Sequence, residues 1–218
     1  NASEAAGKMR EAAARFDLDF IREDTPKALD ESLAGITHVA EIVRALREFS
    51  HPSAERMNVD INRVVANTIT VSQNEWKYVA EIKTDFANEL PFVPCMPSEI
   101  NQVLLNIIIN AAHAIEDLVG KSGRKGAITI STKQNGDMVE IKISDTGAGI
   151  PDSIKNKVYD PFFTTKEVGK GTGQGLPIAR SIVVNKHRGE LFFESVSGKG
   201  TTFFIRLPLH ERPEELAS

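Results

Sequence analysis

Gln102, Asn106, Asn110, His113 and Asp117 stand at i, i+4, i+8, i+11 and i+15, a spacing that stacks them on one narrow line of a helix. The residues between them are mostly apolar. Ile100, Val103, Leu104, Ile107, Ile108, Ala111, Ala112 and Ile115 recur every three or four positions and predict a helix from Glu99 to Leu118. Two asparagines and a histidine in register across such a helix require polar partners. The stripe is either the wall of a ligand site or the solvent edge of an amphipathic helix, and the helix alone does not choose.

Asp145 is the second candidate. Val139, Ile141 and Ile143 alternate toward one face of a predicted strand, and Asp145 shares their parity. A carboxylate at the inner end of a strand needs donors, and Thr146-Gly147-Ala148-Gly149 follows at once, with glycines that let backbone approach a flat ligand. Accepting from an exocyclic amine, such a carboxylate selects adenine; the same residues also suit a tight turn closed by an Asp side chain. The third cluster is Gly169-Lys170-Gly171-Thr172-Gly173-Gln174-Gly175-Leu176, which runs into a helix start at Pro177. Alternate glycines before a helix N-terminus let the chain wrap a phosphate on free amides, and Lys166 and Lys170 add charge. Between the clusters, Tyr159-Asp160-Pro161-Phe162-Phe163-Thr164-Thr165-Lys166 suits a lid that closes over a ligand, or aromatics anchoring a loop.

Other readings fail on spacing. A dinucleotide fingerprint needs a further glycine where Asp152, Gln174 and Leu176 stand. Gly120-Lys121-Ser122 resembles the end of a phosphate-binding loop, but the glycine required at position 115 is Ile115. A single cysteine, Cys95, and scattered histidines give no metal-cage spacing and no internal disulfide, which fits a reducing cytoplasm. A net charge of −4 without a basic block argues against nucleic acid as partner. No signal peptide is visible, and no run is read as a membrane span, so any membrane attachment is expected to lie outside this segment.

The elements that must position these residues follow in order. Residues 3–16 are weakly helical. A helix from Thr25 to Ser50 carries the seam Leu29, Leu33, Ile36, Ala40, Val43 and Leu46, narrow enough for a dimerising hairpin or bundle. Mixed α and β texture begins at Asn58: a helix over Ile61–Ser72, a strand over Lys77–Phe86, and an extended piece among Pro91, Pro94 and Pro97. Ala127–Thr132 and Met138–Asp145 form a hairpin turning at Asn135-Gly136. Gln174–Arg188 is a second core helix capped by Gly189, and Leu191–Val196 with Thr201–Leu207 closes the sheet around Gly198-Lys199-Gly200. The expected fold is an α/β (α+β) two-layer sandwich: a mixed, mostly antiparallel sheet with three main helices on one face. The domains are expected at 1–52 (helical), 53–210 (mixed) and 211–218 (polar tail).

Asn106 through Asn110, Asp145-Thr146-Gly147-Ala148-Gly149, Pro161 through Lys166, Gly171-Thr172-Gly173-Gln174-Gly175 and Gly198-Lys199-Gly200-Thr201 resemble, in order, the N, first glycine, F, second glycine and last glycine boxes of bacterial sensor histidine kinases. Their catalytic domain belongs to the superfamily shared with gyrase, mismatch-repair and heat-shock ATPases, whose fold is of the Bergerat type. The resemblance covers about residues 55–208.

The resemblance implies ATP and Mg²⁺. Asn110 is expected to hold Mg²⁺ bridging the phosphates, supported by Asn106, with His113 as a phosphate contact. Asp145 is expected to bind the adenine amine and Thr201 to support it through water. Gly147 and Gly149 should pass beside the nucleotide, while Lys166, Lys170, Gly171, Thr172, Gly173, Gly175 and Leu176 lie by the phosphates under a mobile lid over about 160–172. Hydrolysing relatives place a glutamate base one turn before the metal asparagine; here that residue is Asn106, which cannot act as one. The site therefore resembles one that holds ATP for attack by a histidine, with relay to a response-regulator aspartate. The alternatives are an ATPase that uses hydrolysis for conformational change, and a non-catalytic nucleotide-binding dimerisation module. The phosphoacceptor box is missing: His38 precedes Val39, His51 precedes Pro52, and His187 and His210 have less claim. The acceptor helix is expected upstream of Asn1, on the same cytoplasmic, homodimeric protein.

Overall fold

The structure, a computed structural model, describes residues 5–7, 22, 24–33, 35–36, 55–120, 124–166 and 171–210. The chain divides into two units, Asn1–Arg44 and Ala45–Ser218. In the first, residues 24–33 and 35–36 are helical. The seam residues Leu29, Leu33 and Ile36 are 58%, 61% and 66% exposed, so this stripe is not spent on a core of its own. Ala40, Val43 and Leu46, and with them His38 and His51, lie outside the described residues.

In the second unit the chain runs β1 (Met57–Val59), α1 (Ile61–Val71), α2 (Gln73–Trp76), β2 (Ala80–Phe86), β3 (Val93–Cys95) and α3 (Pro97–Val119). It continues with β4 (Gly126–Asn135), β5 (Met138–Asp145), a 3₁₀ turn (Asp152–Ile154), α4 (Gly175–Arg180), a π-helical turn (Ser181–Lys186), β6 (Glu190–Val196) and β7 (Gly200–Pro208). The main sheet has the order β2-β4-β5-β7-β6. Only β2–β4 is parallel; the remaining pairs are antiparallel. β1 and β3 pair separately, and β1 was not expected from sequence because three residues carry no legible alternation.

α3 organises the domain. Pro97 opens it, where a missing N–H costs nothing, and Gly120 ends it. Its apolar face, Ile100, Val103, Leu104, Ile107, Ile108, Ala111, Ala112 and Ile115, is buried. Against it lie α1, α4 and the inner sheet face, where Ile128, Ile130, Val139, Ile141, Ile143, Phe203, Ile205 and Leu207 are buried at alternate strand positions. By length and composition α3 could cross a membrane, but those side chains form the core of this domain. Cys95 is buried with them, which pushes its thiol up to about 12 and makes it unreactive.

Three local expectations are corrected. The first hairpin turns at Gly136-Asp137, since Asn135 still pairs with Met138. Gly136 takes φ 61° at the first central position, the geometry that matches strand twist. β2 begins at Ala80 because residues 77–79 form the turn that follows α2. The helix after the second glycine cluster ends not on Gly189 but on Arg188, which adopts φ 55°. The N–H of Gly189 then bonds Val183 O at 2.9 Å, a closing bond that spans six residues, and Gly189 lies directly under the Arg206 carbonyl, where a Cβ has no room.

His187 explains this helix end. It is 2% exposed, its Nδ1–H donates to Ile182 O at 2.9 Å, and its Nε2 accepts the Met96 N–H at 3.0 Å. Both nitrogens are thus bound to backbone, which leaves no lone pair for phosphate. Burial holds its pKa below the ordinary histidine value, with the Ile182 bond and Glu99 opposing. Because the folded pKa is depressed, the unfolded chain takes up the proton first, and stability present at neutral pH is lost as pH falls below about 6.5. The thermal midpoint should therefore drop between pH 7 and 5.5. Melting curves of His187→Gln should be flatter over that interval than those of the parent chain.

Candidate nucleotide site

The sheet fixes Asp145. As the last residue of β5 it keeps the inward parity of Val139, Ile141 and Ile143 and is 7% exposed. One oxygen, Oδ1, accepts the Gly147 N–H at 2.8 Å and the Thr201 N–H at 3.2 Å. No described residue bonds Oδ2, so a fixed carboxylate presents one unshared oxygen. Burial raises its pKa above the ordinary carboxylate value, and the two backbone donors only partly offset this. Thr201, 5% exposed, enters from β7 on the parity of Phe203 and Ile205.

α3 supplies the other wall. Asn106, Asn110 and His113 are half-buried, and Gln102 and Asp117 at the two ends of the stripe are exposed. Asn106 Nδ2 donates to Gly175 O at 3.1 Å, which ties the start of α4 to α3. Lys166 reaches back from the loop that follows Phe163. Its Nζ lies 3.3 Å from Asn110 Oδ1 and 2.6 Å from His113 Nδ1. Burial, then the Lys166 charge, lower the His113 pKa; burial also lowers that of Lys166, against Asp117 and Glu116. A neutral imidazole and a carboxamide oxygen thus face the Lys166 cation along one side of α3. Leu176 is half-buried at the start of α4, Gly171 lies beside Thr164 and Lys166, and Thr172 Oγ1 accepts the Gln174 N–H at 3.4 Å. Lys170 lies outside the described residues.

Residues 96–211 match the family described as histidine kinase-, DNA gyrase B- and HSP90-like ATPases. The chain belongs to this family. Its relatives include the signal transduction histidine-protein kinase AtoS of Escherichia coli K12, 33% identical over an alignment that covers 91% of this chain and 32% of AtoS. The sensor histidine kinase ZraS of Salmonella typhi is 32% identical over 177 residues, 80% of this chain and 36% of ZraS. The chain thus spans about a third of the length of these relatives. Among solved structures, the catalytic domain of histidine kinase ThkA superposes with a TM-score of 0.61 at 28% identity, covering 71% of this chain and 96% of that one. The fold is therefore that of a sensor histidine kinase catalytic domain.

In this kinase-family domain the first glycine box is also a packing point. Gly147 and Gly149 are pressed against protein. A Cβ on Gly147 would lie 2.5 Å from the Ala114 carbonyl carbon, and one on Gly149 would strike the Val196 carbonyl. Ala148 N–H donates to Ala114 O at 2.9 Å, so the loop is bonded to the side of α3 one residue from His113. The glycines bring strand end and helix wall together. Gly147→Ala should lower the thermal midpoint, at a cost of about 1–3 kcal/mol read from denaturant unfolding, because neither backbone can retreat.

The F box gives a second refinement. Phe162 is 71% exposed and takes φ 66°, so it is not a core aromatic. Its N–H donates to Gly173 O at 3.0 Å, which closes the base of the segment between them. Sequence reasoning missed Ser195, although its place opposite Thr201 follows from the hairpin register once the three-residue loop 197–199 is assumed.

Proposed function

We propose that this domain binds Mg-ATP and transfers the γ-phosphoryl group to a histidine on a dimerisation helix, from which a response-regulator aspartate takes it. Asp145 Oδ2 would accept from the adenine amine, with Thr201 beside it. Asn110 would hold Mg²⁺, and His113, Lys166, Lys170, Thr172, Leu176 and the glycines at 171, 173 and 175 would surround the triphosphate. When bound, the metal supplies charge neutralisation across the phosphates. A ring nitrogen of the incoming histidine forms the N–P bond as the bond to the bridging oxygen breaks and ADP leaves. The chain's own residues orient the two partners and keep water unactivated.

Asn106 is the observation that carries this reading. A carboxylate at its place would deprotonate water, whereas a carboxamide that donates to Gly175 O has no basic function and serves to position α4. The exposed seam of Leu29, Leu33 and Ile36 favours homodimerisation through the helical segment. A cytoplasmic location, with membrane attachment through other segments, accords with the same reading.

The test is to incubate the chain with Mg-ATP and the histidine-bearing helix of the longer protein. Acid-labile phosphate on that helix is the expected product. Steady-state release of inorganic phosphate without transfer would instead favour an ATPase, and tight binding with neither would favour a nucleotide-sensing module.

A further inference from the structure

One hydroxyl joins all three elements that surround Asp145. Ser195 stands in β6 directly opposite Thr201 of β7. Its Oγ accepts the Ile150 N–H at 2.7 Å, lies 2.9 Å from Thr201 Oγ1 and 3.1 Å from Gly200 O. Ile150 directly follows the first glycine box, and Gly200 is packed against the Asp145 carbonyl. The Ser195 carbonyl accepts Lys155 Nζ at 2.7 Å, which holds the strand at the far side of the same loop.

The hydrogen-bond count couples this hub to Thr201. A serine hydroxyl has one proton and two lone pairs. The Ile150 N–H uses one lone pair. The proton then goes either to Gly200 O or to Thr201 Oγ1. In the first case Thr201 must donate to Ser195 and presents only lone pairs to the site. In the second, Thr201 keeps its proton for a ligand acceptor. Ser195 therefore governs what Thr201 offers beside the unshared oxygen of Asp145.

We infer that Ser195 is a positioning residue for base recognition: through Thr201 and Ile150 it sets the donor–acceptor pattern that distinguishes adenine from guanine. This rests on the nucleotide-binding reading above. Adenine presents a donor amine beside an acceptor ring nitrogen, and guanine presents the reverse, so a hydroxyl of unfixed polarity discriminates less well.

The test measures binding of ATP, GTP and tripolyphosphate to the 218-residue chain and to Ser195→Ala and Ser195→Thr, with thermal melts alongside. In Ser195→Ala, ATP affinity should fall about five- to tenfold, as for one hydrogen bond lost. The ATP/GTP ratio should narrow while tripolyphosphate binding is unchanged, and Ser195→Thr should restore the ratio. An unchanged ATP/GTP ratio in a folded Ser195→Ala overturns the assignment, and so does an equal loss for tripolyphosphate, which marks a merely structural role. A parent chain that binds no nucleotide overturns the underlying reading instead.

Discussion

Asp145→Asn is expected to weaken ATP binding by about 10–100-fold while raising the melting temperature of the nucleotide-free chain. Asparagine can keep an acceptor oxygen under the Gly147 and Thr201 amides, so the loop and hairpin stay joined. The atom facing the base becomes an NH₂, which meets the adenine amine donor to donor and removes a charge-assisted bond, a loss of about 1.5–3 kcal/mol. GTP, with an acceptor at that place, should lose less. The stability gain follows from the raised carboxyl pKa. Above both pKa values the group is ionised in either state, and the folded chain bears the desolvation cost. As pH falls through the folded value that cost disappears, so the gain should be full above the raised folded pKa and shrink toward the ordinary carboxylate range. Calorimetric titration and melting curves read the two opposite signs in one variant; a parallel loss of both would sink the assignment.

Asn110→Asp should be more severe, with Mg-ATP affinity and phosphoryl transfer down by on the order of a hundredfold or more. The change is nearly isosteric, but the new carboxylate would face Lys166 Nζ, now 3.3 Å from Oδ1. An ion pair there retains the lysine and places negative charge against the triphosphate, an interaction worth several kcal/mol at short range. Chelating Mg²⁺ should weaken ATP binding to the parent chain and have much less effect on Asn110→Ala, which lacks the oxygen ligand. Equal chelator sensitivity in both would show that Asn110 does not touch the metal.

The strand and helix periodicities carried much of this in advance. Parity placed Asp145 and Thr201 inside, and helical spacing put Asn106, Asn110 and His113 on one wall, because both patterns are local. What the patterns left open was contact between distant segments. Gly147 and Gly149 read only as room for a ligand, and their close packing on Ala114 and Val196, residues 33 and 47 positions away, was not legible. The end of the second core helix at Arg188 escaped for the same reason: glycine was expected to turn the chain, but Gly189 is needed under the Arg206 carbonyl of β7. Ser195 has an unremarkable composition context and gains its meaning only when β6, β7 and the loop after β5 meet.

The bond from Phe162 N–H to Gly173 O makes residues 163–172 a replaceable cassette. Its ends are held together at one point, so a change in length beyond Lys166 costs the fold beneath little more than loop-closure entropy, about 0.6 kcal/mol for each doubling, while the Lys166 contacts to Asn110 and His113 are a separate requirement. β7, α3 and the start of α4 need not shift to accommodate it. This segment can therefore vary in length without renegotiating the fold beneath. The same boundary marks where a segment from one kinase could be grafted onto another, provided the graft supplies a lysine at 166 to meet Asn110 and His113.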